Sequence, residues 1–452
     1  MLNVEQLQRL HDAGEVDTVL VVFPDHQGRF MGKRVQSGFF LSELNHNGGM
    51  VEACNYLLAV DVDMKVLEGF RSANWESGFG DFQCRPDLPT MRLTPWLERT
   101  ALVICDLYEQ DGSPTTVAPR TILKRQIEAA AAHGYTIKAG TELEFFLFRE
   151  SMTEAWDKGF KDLTPSSNYV IDYHILATTN DEWLIRKIRN DMAAAGLPVE
   201  FSKGEAGLGQ HELNLRYAEV LEMADNHTIY KNGAKEIAAL ANTALTFMAK
   251  YAFAEVGSSC HIHSSVWDTA TDRSLMAAGD GHQLSDTFRW WLGGLLATAR
   301  DFAICWAPYI NSYKRYQPDS WAPTAIGWGM DNRTLGFRVV GHGQGMRVES
   351  RVPGADANPY IALAATVAGG LYGIEHQIEP GDAYVGNGYE SDLERIPHTL
   401  VDAIAAFKGS EVARAAFGEE AHFHLLHMAE QEWAEFNRTV TDWELRRNFE
   451  RL

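Results

Sequence analysis

The stretch TELEFFLF, Thr141 to Phe148, constrains the fold most tightly. Read as a strand, it alternates acidic and apolar side chains, so Glu142 and Glu144 share one face roughly 6–7 Å apart. At an effective dielectric near 20 and a separation of ~6 Å, two carboxylates repel by about 3 kcal/mol, before any cost of desolvation. A fold built around this strand must bring a cation to that face, either a metal or an arginine cluster, or leave it open to water.

The rest of the chain supplies candidates for that cation. With 452 residues and 45% hydrophobic content, the chain is long enough for two domains and a sizeable core. Its 40 basic against 61 acidic residues give a net charge of −21, which disfavours nucleic acid and anionic membrane as partners. A phosphate ligand would therefore need local arginines or metal ions. The five cysteines are scattered, with no C-x-x-C spacing, as suits a reducing compartment. The start, MLNVEQLQRLHDAGEV, reads as a capped amphipathic helix rather than a signal peptide, so a cytoplasmic location is expected. The apolar run Tyr360 to Ile374 is too short for a bilayer and reads as a buried helix whose small residues allow close packing.

Coarse periodicity places the elements. TVLVVF and RFMGKRV, joined by PDHQG, form an opening hairpin. The turn-rich EQDGSPTTVAP marks a boundary, and TILKRQIEAAAAHG is a helix ending at Gly134 that delivers the chain into the acidic strand. Later helices are expected over DEWLIRKIRNDMAAAG, DNHTIYKNGAKEIAALANTALTFMAK and LSDTFRWWLGGLLATARDFAICWA.

Further charged motifs follow. KGEAGLGQHEL offers Glu205 and Glu212 around a glycine-rich turn, and GSSCHIHSS puts His261 and His263 on one strand face. MRVESR places Glu349 between Arg347 and Arg351, while NSYKRYQPDSW and DNRTLGFR add Lys314, Arg315, Arg333 and Arg338. Each motif alone is also compatible with a surface loop or a salt-bridge ladder. Together they offer hard oxygen and imidazole ligands suited to Mg²⁺ or Mn²⁺, and forked cations suited to a triphosphate and a carboxylate. No Walker A loop or G-x-G-x-x-G turn is present, so a nucleotide would be held by strands and metals.

In this order, T-E-L-E-F-F, G-E-x-G-L-G-Q-H-E-L, T-F-M-A-K, G-S-S-C-H-I-H, N-S-Y-K-R and R-V-E-S-R-V-P-G-A-D-A-N-P-Y, the chain resembles the glutamine synthetases and their relatives that join glutamate to amines. The resemblance implies an α+β fold: an N-terminal β-grasp domain over 1–112, and a catalytic domain over 113–452 with a curved antiparallel sheet and flanking helices. It implies a homo-oligomer of hexameric rings, commonly a dodecamer, with active sites at subunit boundaries. By motif, Glu144, Glu205 and Glu212 would hold one Mg²⁺ or Mn²⁺, and Glu142, His261 and Glu349 a second near the nucleotide phosphates. Arg315, Arg351 and the backbone of Gly257 would clamp glutamate. Arg333, Arg338 and Arg347 would bind phosphate, with Arg333 acting on the phosphoryl group in transfer. Tyr217, His263 and Ser265 would contact ATP. The implied reaction moves the γ-phosphoryl of ATP onto glutamate, after which an amine attacks the acyl phosphate.

Departures from the family pattern fall where ammonium and glutamate are handled. Trp321 stands at the offset of the flap glutamate that helps deprotonate ammonium. The D-G-S-S motif is replaced by VEACNYL, leaving Glu52 as the nearest acid. Val256 replaces an asparagine before Gly257, and Gln344 a lysine near the nucleotide. An indole covers an apolar amine better than it attracts a small hydrated cation. The expected substrate is therefore a small amine other than ammonium. The alternatives are an ammonium-using glutamine synthetase and a noncatalytic relative.

Overall fold

The computed structural model describes residues 1–279 and 281–452. Two sheets organise the chain. The first has six strands in the order Phe30–Gln36, Thr18–Pro24, Thr100–Tyr108, Asp81–Pro86, Val51–Cys54, with the short strand Arg92–Leu93 also paired to Thr100–Tyr108. Thr18–Pro24 runs antiparallel to Phe30–Gln36 across the expected hairpin and parallel to Thr100–Tyr108, the mixed pairing of a β-grasp.

Strand alternation feeds two cores from this one sheet. Val19, Val21, Phe23, Val103 and Cys105 face a core closed by Leu7, Phe40 and Leu41 from the helices Val4–Asp12 and Ser37–Asn47. Leu20, Val22, Leu102 and Ile104 point the other way, into the main core. A buried cation ties the same seam: the Arg120 guanidinium reaches Asp106 at 2.5 Å, Asp87 at 2.6 Å and Asp225 at 2.9 Å. Removing one partner from such a set strands a buried charge, which costs about 3–5 kcal/mol.

The second sheet has ten strands and centres on Tyr135–Leu147. On one side this strand pairs antiparallel with Cys260–Asp268, which continues to Arg347–Ser350, Phe337–Val340 and Trp328–Met330. On the other it pairs with Gln210–Leu215 and then Val199–Gly204. The sheet departs from the expected antiparallel pattern at one edge, where Trp328–Met330 runs parallel to Phe337–Val340.

Period-2 alternation again divides the faces. Ile137, Ala139, Leu143, Phe145 and Leu147 enter the main core with Cys260, Ile262, Phe337 and Val348. Their neighbours Glu142, Glu144, His261, Arg338 and Glu349 are left on the opposite face.

Behind the sheet the helix Pro359–His376 is buried, as its apolar sequence predicts. It crosses the helix Asp286–Ala297 at glycines: a Cβ at Gly294 would lie 2.1 Å from the carbonyl oxygen of Gly369. No helix among the described residues is long and apolar enough to cross a membrane. Two expected helices are shorter than their periodicity suggests. Val220–Leu240 stops before Leu245–Thr246, which pairs as a strand with Tyr135–Leu147. Asp286–Ala297 is separated from the short helix Ala303–Trp306. In both cases burial of an apolar segment set the period and sheet or loop contacts set the end.

Candidate active site

The polar face of the large sheet floors a cleft of about 580 Å³. Register decides which acids meet. Glu142 lies directly opposite His261, and Glu144 directly opposite Glu212. Glu349 lies opposite both His263 and Arg338 on its two neighbouring strands. Glu205 comes from the bend after Val199–Gly204. Two groups result, Glu144–Glu205–Glu212 and Glu142–His261–Glu349, each with ligand atoms within 4.8 Å of one another.

The two groups differ in charge balance. Glu144 is buried; its carboxylate accepts from the Ser259 N–H at 2.8 Å, the Ser259 hydroxyl at 2.5 Å and Gln210 Nε2 at 3.0 Å. Burial and the charge of Glu205 nonetheless push its carboxyl up to about 8. Glu212 is lifted well above the carboxylate range by burial and by Glu205, Glu142 and Glu144. Lys203 pairs with Glu205, and although burial opposes its charge, Glu205 and Glu212 raise its ammonium above the usual value. Three converging carboxylates, two of which, Glu144 and Glu212, resist ionisation, suit a hard divalent cation, which the group would hold through oxygen alone.

The second group is already compensated. Glu142 bonds His263 at 2.7 Å and His261 at 3.1 Å. Glu349 receives Arg351 at 2.6 Å and Arg338 at 2.7 Å. Burial alone would lift both carboxyls. The histidines hold Glu142 far below the usual range, and His261, Arg351 and His263 hold Glu349 at about 2. Burial and Arg351 keep His261 below its ordinary value, so its ring is the neutral form that ligates metal.

Arginines and a glycine shape one end. Arg315 donates to the carbonyl oxygens of Arg351 and Val352, while its buried Nε has no partner among the described residues. Gly257 must be glycine: a Cβ there would meet Arg315 Cγ at 2.3 Å. Arg351 also donates to the carbonyls of Arg333 at 3.1 Å and Trp321 at 3.3 Å, tying together the two segments that flank the strand Trp328–Met330. Arg333 is half-exposed at the rim, 4.0 Å from Asp331.

Trp321 lines the same cleft, 59% exposed, with a left-handed φ of +65°. A bulky residue in that region is strained, which is tolerated where the surrounding structure enforces it.

An adjoining pocket of about 310 Å³ shares Glu142 and gathers Tyr217, His263, Ser265, Gln344 and Arg347. Arg347 Nε donates to His263 Nδ1 at 3.1 Å. Tyr217 stacks on Trp267 with centroids 6.2 Å apart, and Lys138 Nζ lies 3.8 Å over the indole. An aromatic wall beside a cationic rim is a fitting seat for a nucleobase and its phosphates.

One expected site residue is not brought in. Glu52 lies on the first sheet, where Gln110 donates to it at 3.3 Å, and does not line its own chain's cleft. Sequence reading also passed over several residues. Gln210 and Lys203 carry a spacing signal, each two residues from a cluster acid. Asp172, Tyr173 and Phe201 at the cleft wall come from segments with no diagnostic motif.

Comparisons with known proteins identify the family. The family described as glutamine synthetase, catalytic domain, matches residues 116–448. A gamma-glutamylethanolamide synthetase of Streptomyces coelicolor is 51% identical, with 100% of this chain and 96% of that protein covered. A glutamate–isopropylamine ligase of a Pseudomonas species is 35% identical, with 98% of each chain covered. A solved structure described as GmaS in complex with ADP superposes with a TM-score of 0.85 at 27% identity, covering 98% of this chain and 99% of that one. The chain belongs to the glutamine synthetase family.

Proposed function

We propose that the protein is an ATP-dependent ligase that joins the γ-carboxylate of glutamate to a small amine other than ammonium. The observation that carries this reading is Trp321, an exposed indole held in a strained conformation at the mouth of a cleft otherwise built from acids and arginines. Tyr173 and Phe201 add aromatic surface to the same cleft. The relatives, one named for an ethanolamide product and one for the ligation of isopropylamine, support the choice of a non-ammonium amine.

Glutamate would be oriented by the free Arg315 Nε, Arg351 and the backbone at Gly257. ATP would lie against Tyr217 and Trp267, with His263, Ser265, Arg347 and Arg338 toward its phosphates. Mg²⁺ or Mn²⁺ at the two acidic groups would neutralise phosphate oxygens and the γ-carboxylate. Arg333, at the open rim, follows the phosphoryl group as it leaves ADP for glutamate. The amine nitrogen then attacks the acyl carbon, phosphate departs, and the amine's proton needs an acceptor.

Asp172 is the one described cleft carboxylate outside both acidic groups, and burial and Glu205 raise its affinity for a proton, with Lys203 opposing. Glu52 would take that role only by reaching a neighbouring chain's cleft. That arrangement fits the further proposal of a cytoplasmic homo-oligomer of hexameric rings, built from domains over 1–112 and 113–452.

The test is phosphate release with glutamate, ATP and a panel of ammonium, ethanolamine and isopropylamine. The reading requires ammonium to be the poorest. Trp321→Glu restores an acid at the mouth, and one charge-assisted contact should raise the kcat/KM ratio for ammonium over the best amine by about ten- to a hundredfold. Asp172→Asn should slow turnover most at low pH, where the amine is hardest to deprotonate. If Glu52→Gln has that effect and Asp172→Asn does not, the proton acceptor lies on the neighbouring chain.

A further inference from the structure

Trp321 is 59% exposed, so little packs around the indole, and its direction is set chiefly by the backbone that carries it. That backbone is anchored at three successive residues. Ser320 Oγ donates to the carbonyl of Gln317 at 2.7 Å, Arg351 to the carbonyl of Trp321 at 3.3 Å, and the Tyr389 hydroxyl to the carbonyl of Ala322 at 3.0 Å. The third anchor differs in kind. Ser320 belongs to the same loop, and Arg351 lines the cleft and meets Glu349 at 2.6 Å. Tyr389 comes from a distant segment and does not line the cleft, yet it fixes the residue that follows the left-handed Trp321.

Tyr389 is itself held in place. Its N–H donates to Asn387 Oδ1 at 3.1 Å, and Arg395 donates both to its carbonyl at 3.4 Å and to Thr324 Oγ1 at 3.2 Å. Arg395 also forms a backbone bridge with Ala325, and the Ile396 N–H reaches the Thr324 carbonyl at 3.1 Å. The segment 387–396 is thus stitched to 322–325, and the phenol reaches Ala322 from a fixed base. Burial, the largest influence on this phenol, strengthens its hold on the proton, so the hydroxyl stays a donor.

Without that hydroxyl, the loop loses one of the contacts that keep a bulky residue in a backbone region such residues rarely adopt. We propose that Tyr389 is a positioning residue for amine choice: by holding the Ala322 carbonyl it keeps the Trp321 indole at the cleft, and it touches no substrate itself. The proposal rests on the reading of Trp321 as part of the amine site.

Tyr389→Phe removes the hydroxyl and little else. In the full chain labelled with 5-fluorotryptophan, the Trp321 fluorine resonance is assigned by its loss in Trp321→Phe. In Tyr389→Phe that resonance should shift or broaden while the other indoles stay in place, a readout that needs no turnover. With Mg²⁺, ATP and glutamate, KM for ethanolamine or isopropylamine, whichever turns over faster, should rise about fivefold, because losing one neutral hydrogen bond lowers the fraction of chains with the indole in place. At saturating amine kcat should stay within about twofold of wild type, as should KM for ATP and glutamate, and kcat/KM for ammonium should not fall. In a Trp321→Ala background, Tyr389→Phe should leave the amine preference unmoved, since no indole remains to be positioned. An unmoved Trp321 resonance, or an effect on preference that persists in the Trp321→Ala background, overturns the positioning role. A resonance that moves while neither Tyr389→Phe nor Trp321→Ala alters the preference overturns the role in amine choice through the reading of Trp321 rather than through the contact.

Discussion

Glu142 and Glu144 leave the same face of one strand two residues apart, yet the structure gives them opposite affinities for a proton. Glu144 joins Glu205 and Glu212, where Lys203 is the nearby cation, and is pushed up to about 8 by burial and then by Glu205. Glu142 joins Glu349 in a setting of His261, His263, Arg338 and Arg351, and is held down against burial. Strand register makes the difference, since one acid faces a glutamate across the ladder and the other a histidine. In the first group Glu144 and Glu212 are held toward their neutral forms, and an exogenous cation would favour their carboxylates. The second has its charge supplied largely by the protein, and a metal there would compete with arginines already in place.

The largest effect should come from removing one acid from each group. Glu144→Gln and Glu349→Ala should each lower turnover at least about a thousandfold if, as proposed, each deletes a metal ligand beside the transferring phosphoryl group. Their stabilities without metal should part. Glu349→Ala leaves Arg351 and Arg338 without their buried partner and should cost about 3 kcal/mol in urea unfolding with chelator present. Glu144→Gln removes a carboxylate that burial disfavours and should be neutral or stabilising, most visibly near pH 9. Equal destabilisation by both variants would remove the contrast.

That contrast was only half legible in the sequence. Alternation in TELEFFLF places both acids on one face, and the ordered motifs assign them to different partners. Neither reveals that Glu142 meets two histidines and Glu144 a glutamate, because cross-strand register depends on pairings more than a hundred residues distant in the chain for His261. The strands themselves were readable because each buries one face and so keeps a clean period of two. The helix expected over 225–250 was overextended at its end because Leu245 is buried in a strand within an apolar stretch that fits either period. Trp321 was marked by position alone, and its left-handed backbone is a loop property that no spacing encodes. Glu52 was proposed by proximity to a missing motif, and tertiary structure carries it to the other sheet.

A smaller effect sharpens the comparison through pH. Glu144 is raised from 4.5 to about 8, so its contribution to the metal-free fold is fully present below pH ~4.5 and is lost as pH rises through 8. Glu349 is depressed to about 2, so its contribution is present above pH ~4.5 and lost as pH falls through 2. With chelator, stability should therefore decline from about pH 5 toward pH 8 by on the order of 3 kcal/mol, and saturating Mg²⁺ should flatten that decline. Titrating the metal at pH 7 in buffers of different ionisation enthalpy should reveal release of on the order of one proton, from the first group. A metal-free stability that rises over the same interval contradicts the raised Glu144.

The smallest effect probes whether the second group is balanced by the protein, through Arg338. This side chain donates to Glu349 at 2.7 Å and to the exposed Asp331 at 2.5 Å, so it links the buried Glu349 carboxylate to the cleft rim. If it acts only as a phosphate ligand, replacing it weakens ATP and leaves metal affinity alone. If it also stands in for metal charge, Arg338→Gln leaves Glu349 more strongly anionic, and the affinity of the weaker metal class in the absence of ATP should rise by about tenfold, the worth of one charge-assisted contact of ~1.5 kcal/mol. Turnover should still fall, since the arginine's fork is lost where phosphate charge must be neutralised. Arg338→Lys keeps the charge but not the two-pronged geometry, and its metal affinity should remain near wild type while turnover drops. Mn²⁺ titration followed by electron paramagnetic resonance separates the cases. A tighter weak site in Arg338→Gln, absent in Arg338→Lys, is the signature of a cation that the metal must displace; an unchanged weak site in both confines Arg338 to the nucleotide.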